Sequence, residues 1–320
     1  MRMTDRRFVL AFSTVALLAS MAHAQERPAP KLASASVRLA TPAEGAAILR
    51  QRDGFVAALS AFDRAARLKT DQPVSEAEYL RFIGAQTQPF SEDERRRLGD
   101  GLRGLDEKLG RLFRTLPLPR ELVIVKTNGL EEGQAAYCRG NAIVLPAKIL
   151  DSNELAPTLA HELFHVISTQ DPALRRKLYA LVGFQPGAEV ALPASLRTRK
   201  ITNPDAYRND YRIRVRVDGK SVEAVPVLYA AAEHYDPKRG GEFFEYLTFK
   251  LLLTDGTTLV DPASVPDYAT QLGGNTDYVI HPEEVLADCF RLLVAGSPAV
   301  ASPALLERIR AVFQAAPAKQ

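Results

Sequence analysis

Between residues 42 and 116, hydrophobic residues recur at the spacing of an α-helix. Capping boxes of the type Ser-x-x-Glu begin two of these helices, at Ser75 and at Ser91. After Ser91, leucines recur every three or four residues and form an amphipathic stripe: Leu98, Leu102, Leu105, Leu109, Leu112 and Leu116. Such a stripe is typical of a helix face that packs on a core. The pattern predicts a helical region over residues 41–117, which ends at Pro117.

After residue 118 the pattern changes to short strands that alternate with helices. Residues 121–126 and 142–145 are apolar runs of strand length, and residues 211–217 alternate strictly between polar and apolar. An Asp-Gly turn follows that alternation, so a β-hairpin is predicted. The helices predicted in this part span residues 153–169, 172–181, 282–296 and 303–315. The fold class is therefore predicted as α+β, with the helical region placed before a domain with a small mixed sheet over residues 118–320.

Residues 1–24 have the pattern of a signal peptide. A basic segment precedes an apolar run over residues 8–19, and Ala22 and Ala24 are the small residues that a signal peptidase reads. We expect cleavage after Ala24 and export of the protein, either to the periplasm or out of the cell. Residues 25–40 are expected to form a flexible lead-in.

The charge of the chain argues against a nucleic-acid partner, and its hydropathy argues against a membrane span in the mature chain. The formal net charge is +3, and the predicted signal peptide carries +2 of it. A nearly neutral mature chain lacks the basic surface that nucleic-acid binding requires, so we expect no nucleic-acid partner. No stretch after residue 24 is long and apolar enough to cross a bilayer, which predicts no membrane span in the mature chain.

A His-Glu-x-x-His motif lies within the predicted helix over residues 153–169. His161 and His165 are four residues apart, so on a helix both imidazoles stand on one face and can reach a single Zn²⁺. Glu162 lies between them, where a carboxylate can take the proton of a metal-bound water. The surrounding segment is apolar, and burying three such side chains without partners would cost several kcal/mol. The motif therefore predicts a zinc site.

Two histidines leave a catalytic zinc site one protein ligand short. In one known arrangement the third ligand follows the second histidine by six residues, which is Asp171 here. That arrangement requires a glycine where Ser168 stands and a later methionine, but no methionine follows the predicted signal peptide. Because Pro172 comes next, Asp171 is better explained as the cap of a helix.

In the other arrangement the third ligand is a glutamate on a later helix, with an acid one turn beyond it. Glu284 and Asp288 in the predicted helix 282–296 share a face at this spacing. Glu284 can bind the metal while Asp288 accepts the N–H of a ligand histidine. Glu283 is the competing ligand, but its partner at i+4 is Ala287. We expect Glu283 to be an exposed acid in the first turn, where it favours the helix dipole.

The two segments together resemble the gluzincin branch of zinc metallopeptidases, the thermolysin-like arrangement. The resemblance covers two short helices, which lie further apart along this chain than in thermolysin. It implies a zincin-like domain with two metal-bearing helices and one Zn²⁺ per chain, held by His161, His165 and Glu284. It also implies that Glu162 is the general base and that Asp288 orients His161. The function expected from it is an exported zinc-dependent peptide hydrolase that acts on a peptide or protein substrate.

By the same resemblance, a tyrosine or histidine stabilises the developing oxyanion. The candidates are His234, Tyr235, Tyr278 and His281, and the sequence does not select among them. The resemblance also implies that an edge strand before the motif pairs with an extended peptide, and residues 137–145 are the expected strand.

Two other functions agree with parts of the sequence. The protein could be a zinc-containing but non-catalytic binding or assembly protein of the cell envelope. It could also be a helical interaction module, based on residues 42–116, in which the motif is incidental. The presence of Glu162 favours the enzyme, because a purely structural zinc site has no use for a base.

Two cysteines, Cys138 and Cys289, remain in the chain. In an oxidising compartment they can form a disulfide, and two buried free thiols are the alternative. We predict the disulfide, because it would link the expected edge strand to the helix of Glu284.

Overall fold

The structure, a computed structural model, describes residues 31–315. This part of the chain contains twelve α-helices and two five-stranded sheets, so the predicted α+β class is confirmed. The predicted signal peptide and residues 25–30 of the predicted lead-in lie outside the described residues. Within residues 31–315, no helix has both the length and the hydropathy needed to cross a membrane.

The elements have the following bounds. The helices are α1 (Pro42–Leu49), α2 (Gly54–Ala58), α3 (Ala61–Arg67), α4 (Glu76–Gly84), α5 (Glu92–Leu112), α6 (Ala147–Leu150), α7 (Leu155–Gln170), α8 (Pro172–Ala180), α9 (Ala194–Arg197), α10 (Pro266–Leu272), α11 (Pro282–Ala295) and α12 (Pro303–Gln314). The strands are β1 (Lys31–Leu32), β2 (Ala35–Leu39), β3 (Glu121–Thr127), β4 (Tyr137–Arg139), β5 (Ala142–Pro146), β6 (Phe184–Pro186), β7 (Tyr211–Val217), β8 (Lys220–Ala230), β9 (Leu247–Leu253) and β10 (Leu259–Val260).

The first sheet has the strand order β1-β2-β3-β5-β4 and helices on both faces. Strands β2, β3 and β5 are parallel, whereas β4 is antiparallel to β5 and forms one edge. Alternate residues of β3 enter two different cores: Val123 and Val125 pack with α1–α4, and Leu122 and Ile124 pack with α5 and α7. Burial on both faces explains why residues 122–125 of this strand are an uninterrupted apolar run.

The prediction of a flexible lead-in over residues 25–40 is wrong for its described part. Residues 31–39 form β1 and β2, and β2 pairs with β3 in parallel register. Val37 lies opposite Leu122 and is only 2% exposed. A five-residue strand carries too little pattern to be recognised before its partner strand is known.

Helix α5 shares its core with the motif helix. Its leucine stripe packs in one cluster with Leu159 and Leu163 of α7, which confirms the predicted core face. The predicted boundary at residue 117 therefore does not separate two cores. Both predicted capping boxes are present, since the side chains of Ser75 and Ser91 accept the backbone N–H groups three residues on.

The second sheet is antiparallel, with the order β10-β9-β8-β7-β6. The predicted hairpin is confirmed as β7 and β8, joined at Asp218 and Gly219 with φ of 49° and 74°. Positive φ at both central residues is the requirement of a tight type I′ turn. This sheet and the loop that precedes it fill the long separation between α7 and α11 in the sequence.

Candidate metal centre

Helices α7 and α11 pack against each other, and polar side chains of both helices lie between them. Helix α7 spans Leu155–Gln170, close to the predicted residues 153–169, and every residue from Leu163 to Ser168 is buried. Helix α11 begins at Pro282, as predicted, with His281 as its cap. The two helices bring together the predicted site residues: His161, Glu162, His165, Glu284 and Asp288.

Glu284 lies between the two histidines of the motif. Its Oε2 atom is 3.2 Å from Nε2 of His161 and 3.7 Å from Nε2 of His165. One ligand atom from each of these three residues lies within 4.8 Å of the others. Ligand atoms about 2.0–2.2 Å from a tetrahedral zinc are about 3.3–3.6 Å from one another. The spacing and the nitrogen-nitrogen-oxygen donor set are therefore compatible with a metal ion such as zinc.

Asp288 binds the first histidine, at the position that the spacing predicts. Its Oδ1 atom is 3.2 Å from Nδ1 of His161. The same carboxylate accepts hydrogen bonds from Thr276 Oγ1 at 2.5 Å and from Arg291 Nε at 3.0 Å. A carboxylate held at both oxygens fixes the imidazole, which leaves Nε2 of His161 directed at Glu284.

Glu283 has the corresponding role for the second histidine, so the prediction that it is an exposed first-turn acid is wrong. It is 1% exposed, and its Oε1 lies 3.0 Å from Nδ1 of His165. Its Oε2 accepts hydrogen bonds from Ser168 Oγ at 2.8 Å and from the hydroxyl of Tyr179. Consecutive helix residues point about 100° apart. Glu284 can therefore face the metal position while Glu283 contacts Nδ1 of His165, on the other side of the ring.

The carboxylates decide the charge of the two histidines. Burial lowers the pKa of His161, but the hydrogen bonds with Asp288 and Glu284 outweigh it and raise that pKa to about 9. For His165, burial is outweighed by the charges of Asp205 and Glu284, and the pKa lies well above its usual value. The site therefore favours positive charge at both imidazoles. A metal cation placed there would replace the protons.

Three carboxyl groups respond differently to this environment. Burial acts to raise the pKa of Glu284, but the charge of His165 and the bond to His161 lower it to about 2. Burial raises the pKa of Glu162, and desolvation likewise raises the pKa of Asp205, although Asp205 is only partly buried. A bound cation would offset the cost of burying these charges.

Two further residues reach the site from the loop before β7, and the sequence analysis missed both. Asn203 Nδ2 donates to Glu284 Oε1 at 2.5 Å. Asp205 Oδ1 accepts the backbone N–H of Cys138 at 3.0 Å. Ligand atoms of Asp205, Cys138 and Glu162 lie within 4.8 Å of one another. The sequence Asn-Pro-Asp signals only a turn, so nothing in it marks these side chains as part of a site.

The predicted disulfide is wrong, because both thiols are free and buried. Cys138 Sγ lies 3.2 Å from the carbonyl oxygen of Glu162 and 3.3 Å from Glu162 Oε2. Cys289 instead faces Asn275, whose Nδ2 is 3.8 Å from its sulfur. Because Cys289 is one residue beyond Asp288, it points about 100° away from the side of α11 that faces the metal position.

Of the four oxyanion candidates, only Tyr278 lines the cavity beside the metal position. His281 caps α11, since its Nδ1 accepts the N–H of Glu283 at 3.1 Å. The hydroxyl of Tyr235 donates to Gly241 O at 2.9 Å, within a separate core. His234 is exposed outside this cavity. Asp171 caps α8 by accepting the N–H groups of residues 173 and 174, as the sequence indicates.

The cavity has a volume of about 550 Å³ and joins the metal position to an apolar wall. His161, Glu162 and Glu284 line one part of it, and Phe243 and Leu247 line another. The strand predicted over residues 137–145 is two strands, and the edge strand is β4 alone.

Comparisons of the chain with family models, with curated proteins and with solved structures found no match.

Proposed function

We propose that this protein is a zinc-dependent peptide hydrolase. The observation that carries the proposal is the position of Glu284 Oε2 between the Nε2 atoms of His161 and His165. Three protein ligands leave a fourth position for water, which is the arrangement of catalytic rather than structural zinc sites. The pattern of residues 1–24 supports export, so we place the activity in the periplasm or outside the cell.

Zinc, when bound, lowers the pKa of its water to about 7 and polarises the carbonyl of a substrate. Glu162 borders the same cavity and is 4% exposed. Burial raises the pKa of Glu162, which brings this carboxylate nearer to the range of an effective general base at neutral pH. Glu162 would take a proton from the attacking water and deliver it to the leaving amine.

Tyr278 is the group in the described cavity best suited to stabilise the oxyanion. Its side chain is partly exposed and lines the cavity with Glu284 and His161. A phenol hydroxyl directed at the carbonyl oxygen stabilises the transition state, because the negative charge on that oxygen develops there. Asp288 and Glu283 orient the histidines and take no part in the proton transfers.

A non-catalytic zinc protein of the cell envelope is the second candidate. The hydrogen bond from Asn203 to Glu284 favours it, because a ligand oxygen is covered by a loop. Such covering is also compatible with an enzyme whose cleft opens on one side only. Turnover separates the two candidates.

The test is a substitution of Glu162 that preserves its shape. We expect wild-type protein to hold one zinc per chain and to digest members of a peptide library. Glu162→Gln should keep the zinc, because Glu162 is not a ligand, and should lose about 10²–10⁴-fold in turnover. The matched control is Glu107→Gln on the exposed face of α5, which should behave as wild type.

Each outcome of this test has a distinct meaning. A wild-type protein that holds zinc and digests nothing supports the binding protein. Full activity in Glu162→Gln overturns the role of Glu162 as the base. Absence of bound zinc in the wild type overturns the metal site itself.

A further inference from the structure

A short loop divides the cleft beside the metal position. We call residues 203–207 the strap. On one side of the strap lies the metal-side cavity of about 550 Å³, which includes residues 134–137 in its wall. On the other side lies a second cavity of about 400 Å³, which includes residues 138–141. Pro204 and Asp205 line both cavities. The strap therefore interrupts a groove that follows β4.

The strap occupies a hydrogen-bonding position of the edge strand. Strand β4 pairs with β5 on one side and with no described strand on the other. The backbone N–H of Cys138, in the middle of β4, donates to Asp205 Oδ1 at 3.0 Å. A peptide that pairs with β4 can use the positions before Cys138 but is stopped at that residue.

The strap is anchored from the other side by buried polar groups. Thr202, which precedes it, binds Asp63 through its N–H at 3.0 Å and through its hydroxyl at 2.6 Å. Arg67 donates to Thr202 O at 3.0 Å, and Lys200 Nζ donates to Tyr207 O at 2.8 Å. Opening the strap would break the bond of Lys200 to Tyr207 and pull on the buried Thr202 that precedes it, and leaving such polar groups without hydrogen-bond partners is costly. The strap is therefore a fixed wall of the cleft.

The direction of β4 decides which end of a peptide meets this wall. Strand β4 runs from the metal-side cavity at Tyr137 toward the strap at Cys138. A peptide that pairs antiparallel to β4 runs the opposite way, so its N-terminus lies at the strap and its chain extends into the metal-side cavity. A peptide that pairs parallel would instead place its C-terminus there.

Charge selects between these two directions. Asp205 and Glu162 both lie where the strap closes the metal-side cavity, and a carboxylate oxygen of one lies within 4.8 Å of a carboxylate oxygen of the other. Among the described residues that line the metal-side cavity, the one arginine or lysine is Arg291, and it is paired with Asp288. A free α-ammonium group supplies a positive charge that offsets the cost of holding the buried Glu162 and the partly buried Asp205 as carboxylates. A terminal carboxylate at this position would be repelled.

We propose that the metal-side cavity binds the free N-terminus of a peptide and that the protein is an aminopeptidase, an inference that rests on the proposed function. The carboxylate of Asp205 accepts a hydrogen bond from the α-ammonium group of the substrate. Water adds across the first peptide bond: the hydroxyl joins the carbonyl carbon, the bond to nitrogen breaks, and Glu162 transfers the proton to that nitrogen. The products are one free amino acid and a peptide shorter by one residue.

Matched peptides test the end selectivity. One sequence is prepared with a free N-terminus, with an N-acetyl cap and with a C-terminal amide. We expect single residues to be released from the N-terminus of the free and amidated peptides at similar rates. The acetylated peptide should be cleaved at least about 30-fold more slowly, the loss that an unpaired buried charge produces.

A binding measurement in an inactive variant gives a second readout. Zinc-loaded Glu162→Gln protein is titrated with leucine hydroxamate and with N-acetyl-leucine hydroxamate. We expect the free amine to bind at least about 30-fold more tightly, and Asp205→Asn added to that variant to abolish the preference. Asparagine can still accept the N–H of Cys138, so the strap stays closed. Asp210→Asn, in the same loop and paired with Arg208, is the control that keeps the preference.

The outcomes separate this inference from the proposed function. Glu162-dependent cleavage within the acetylated peptide, at the rate of the free one, would show that the strap moves aside and would overturn the aminopeptidase alone. Release of C-terminal residues would overturn it as well. A protein that binds no zinc and cleaves none of the peptides overturns both proposals.

Discussion

At the scale of single residues, the site consists of histidines whose two ring nitrogens have different partners. Nδ1 of His161 faces Asp288, and Nδ1 of His165 faces Glu283. In both rings the carboxylate holds the proton on Nδ1, so a metal that displaced the proton on Nε2 would find a lone pair on the side of Glu284. The arrangement is symmetric in function although the two carboxylates are five residues apart.

The symmetry predicts equal effects of removing either carboxylate. Glu283→Gln and Asp288→Asn should each weaken zinc affinity about 10–100-fold, because each releases one ligand histidine from its fixed orientation. Competition with a chelator measures the affinities, and Glu107→Gln is again the control. If Glu283→Gln keeps the wild-type affinity, His165 does not depend on Glu283 for its orientation.

A second residue-scale prediction concerns pH and His281. Burial lowers the pKa of His281 to about 4, below the value of about 6.5 in an unfolded chain. Glu283 and Glu284 oppose this shift, whereas Arg175 and His165 add to it. Between these two pKa values the unfolded chain binds more protons than the folded one. The stability from neutral His281 is therefore present above pH 6.5 and is lost as the pH falls toward 4.

Urea unfolding of metal-free protein at pH 7 and at pH 5 tests this sign. His281→Asn retains a capping side chain but does not titrate in this range. Between pH 7 and pH 5, wild type should lose on the order of 1–2 kcal/mol relative to the variant. An equal pH dependence in both proteins would show that His281 is already protonated in the fold.

At the scale of elements, α5 supports the helices that hold the site. It packs against both α7 and α11, and its stripe enters the core beneath them. Leu102 is 1% exposed, whereas Leu112 near the end of the helix is only partly buried. The leucine stripe therefore fixes the position of α7, although α5 carries no residue of the site.

This packing predicts a stability cost without a loss of ligands. Leu102→Ala should lower the free energy of unfolding by about 2–5 kcal/mol, because it removes transfer energy and leaves a cavity. Leu112→Ala should cost less. Chemical denaturation measures both, and zinc content at low temperature should stay at one per chain. Similar costs at the two positions would contradict the placement of Leu102 in the shared core.

At the scale of the whole molecule, the proposed metal joins elements that are distant in the sequence. The proposed ligands come from α7 and α11, and more than 110 residues separate Glu284 from His165. A cation bound only by the folded arrangement stabilises the fold by mass action. At 100 times the dissociation constant this stabilisation is about 2.7 kcal/mol.

Metal removal should therefore lower the thermal midpoint of the wild type, and zinc should restore it. Glu284→Ala should lose zinc at stoichiometric loading and show no shift on adding zinc, although Glu283 is intact. Differential scanning calorimetry with elemental analysis measures both quantities. A zinc-dependent shift in Glu284→Ala equal to that of the wild type would assign the third ligand to another residue.

The sequence by itself determined the features that depend on neighbours within one element. Spacing of four residues on a helix placed His161 with His165 and Glu284 with Asp288, and local capping and turn chemistry determined the helix starts and the hairpin. Only the tertiary structure decided the partner of Glu283, the free state of the thiols of Cys138 and Cys289, the strand at residues 35–39 and the position of the strap. Each of these depends on a contact between residues that are distant in the sequence, such as His165 and Glu283, which are 118 positions apart. Local pattern records which face a side chain is on, but it does not record which distant element packs against that face.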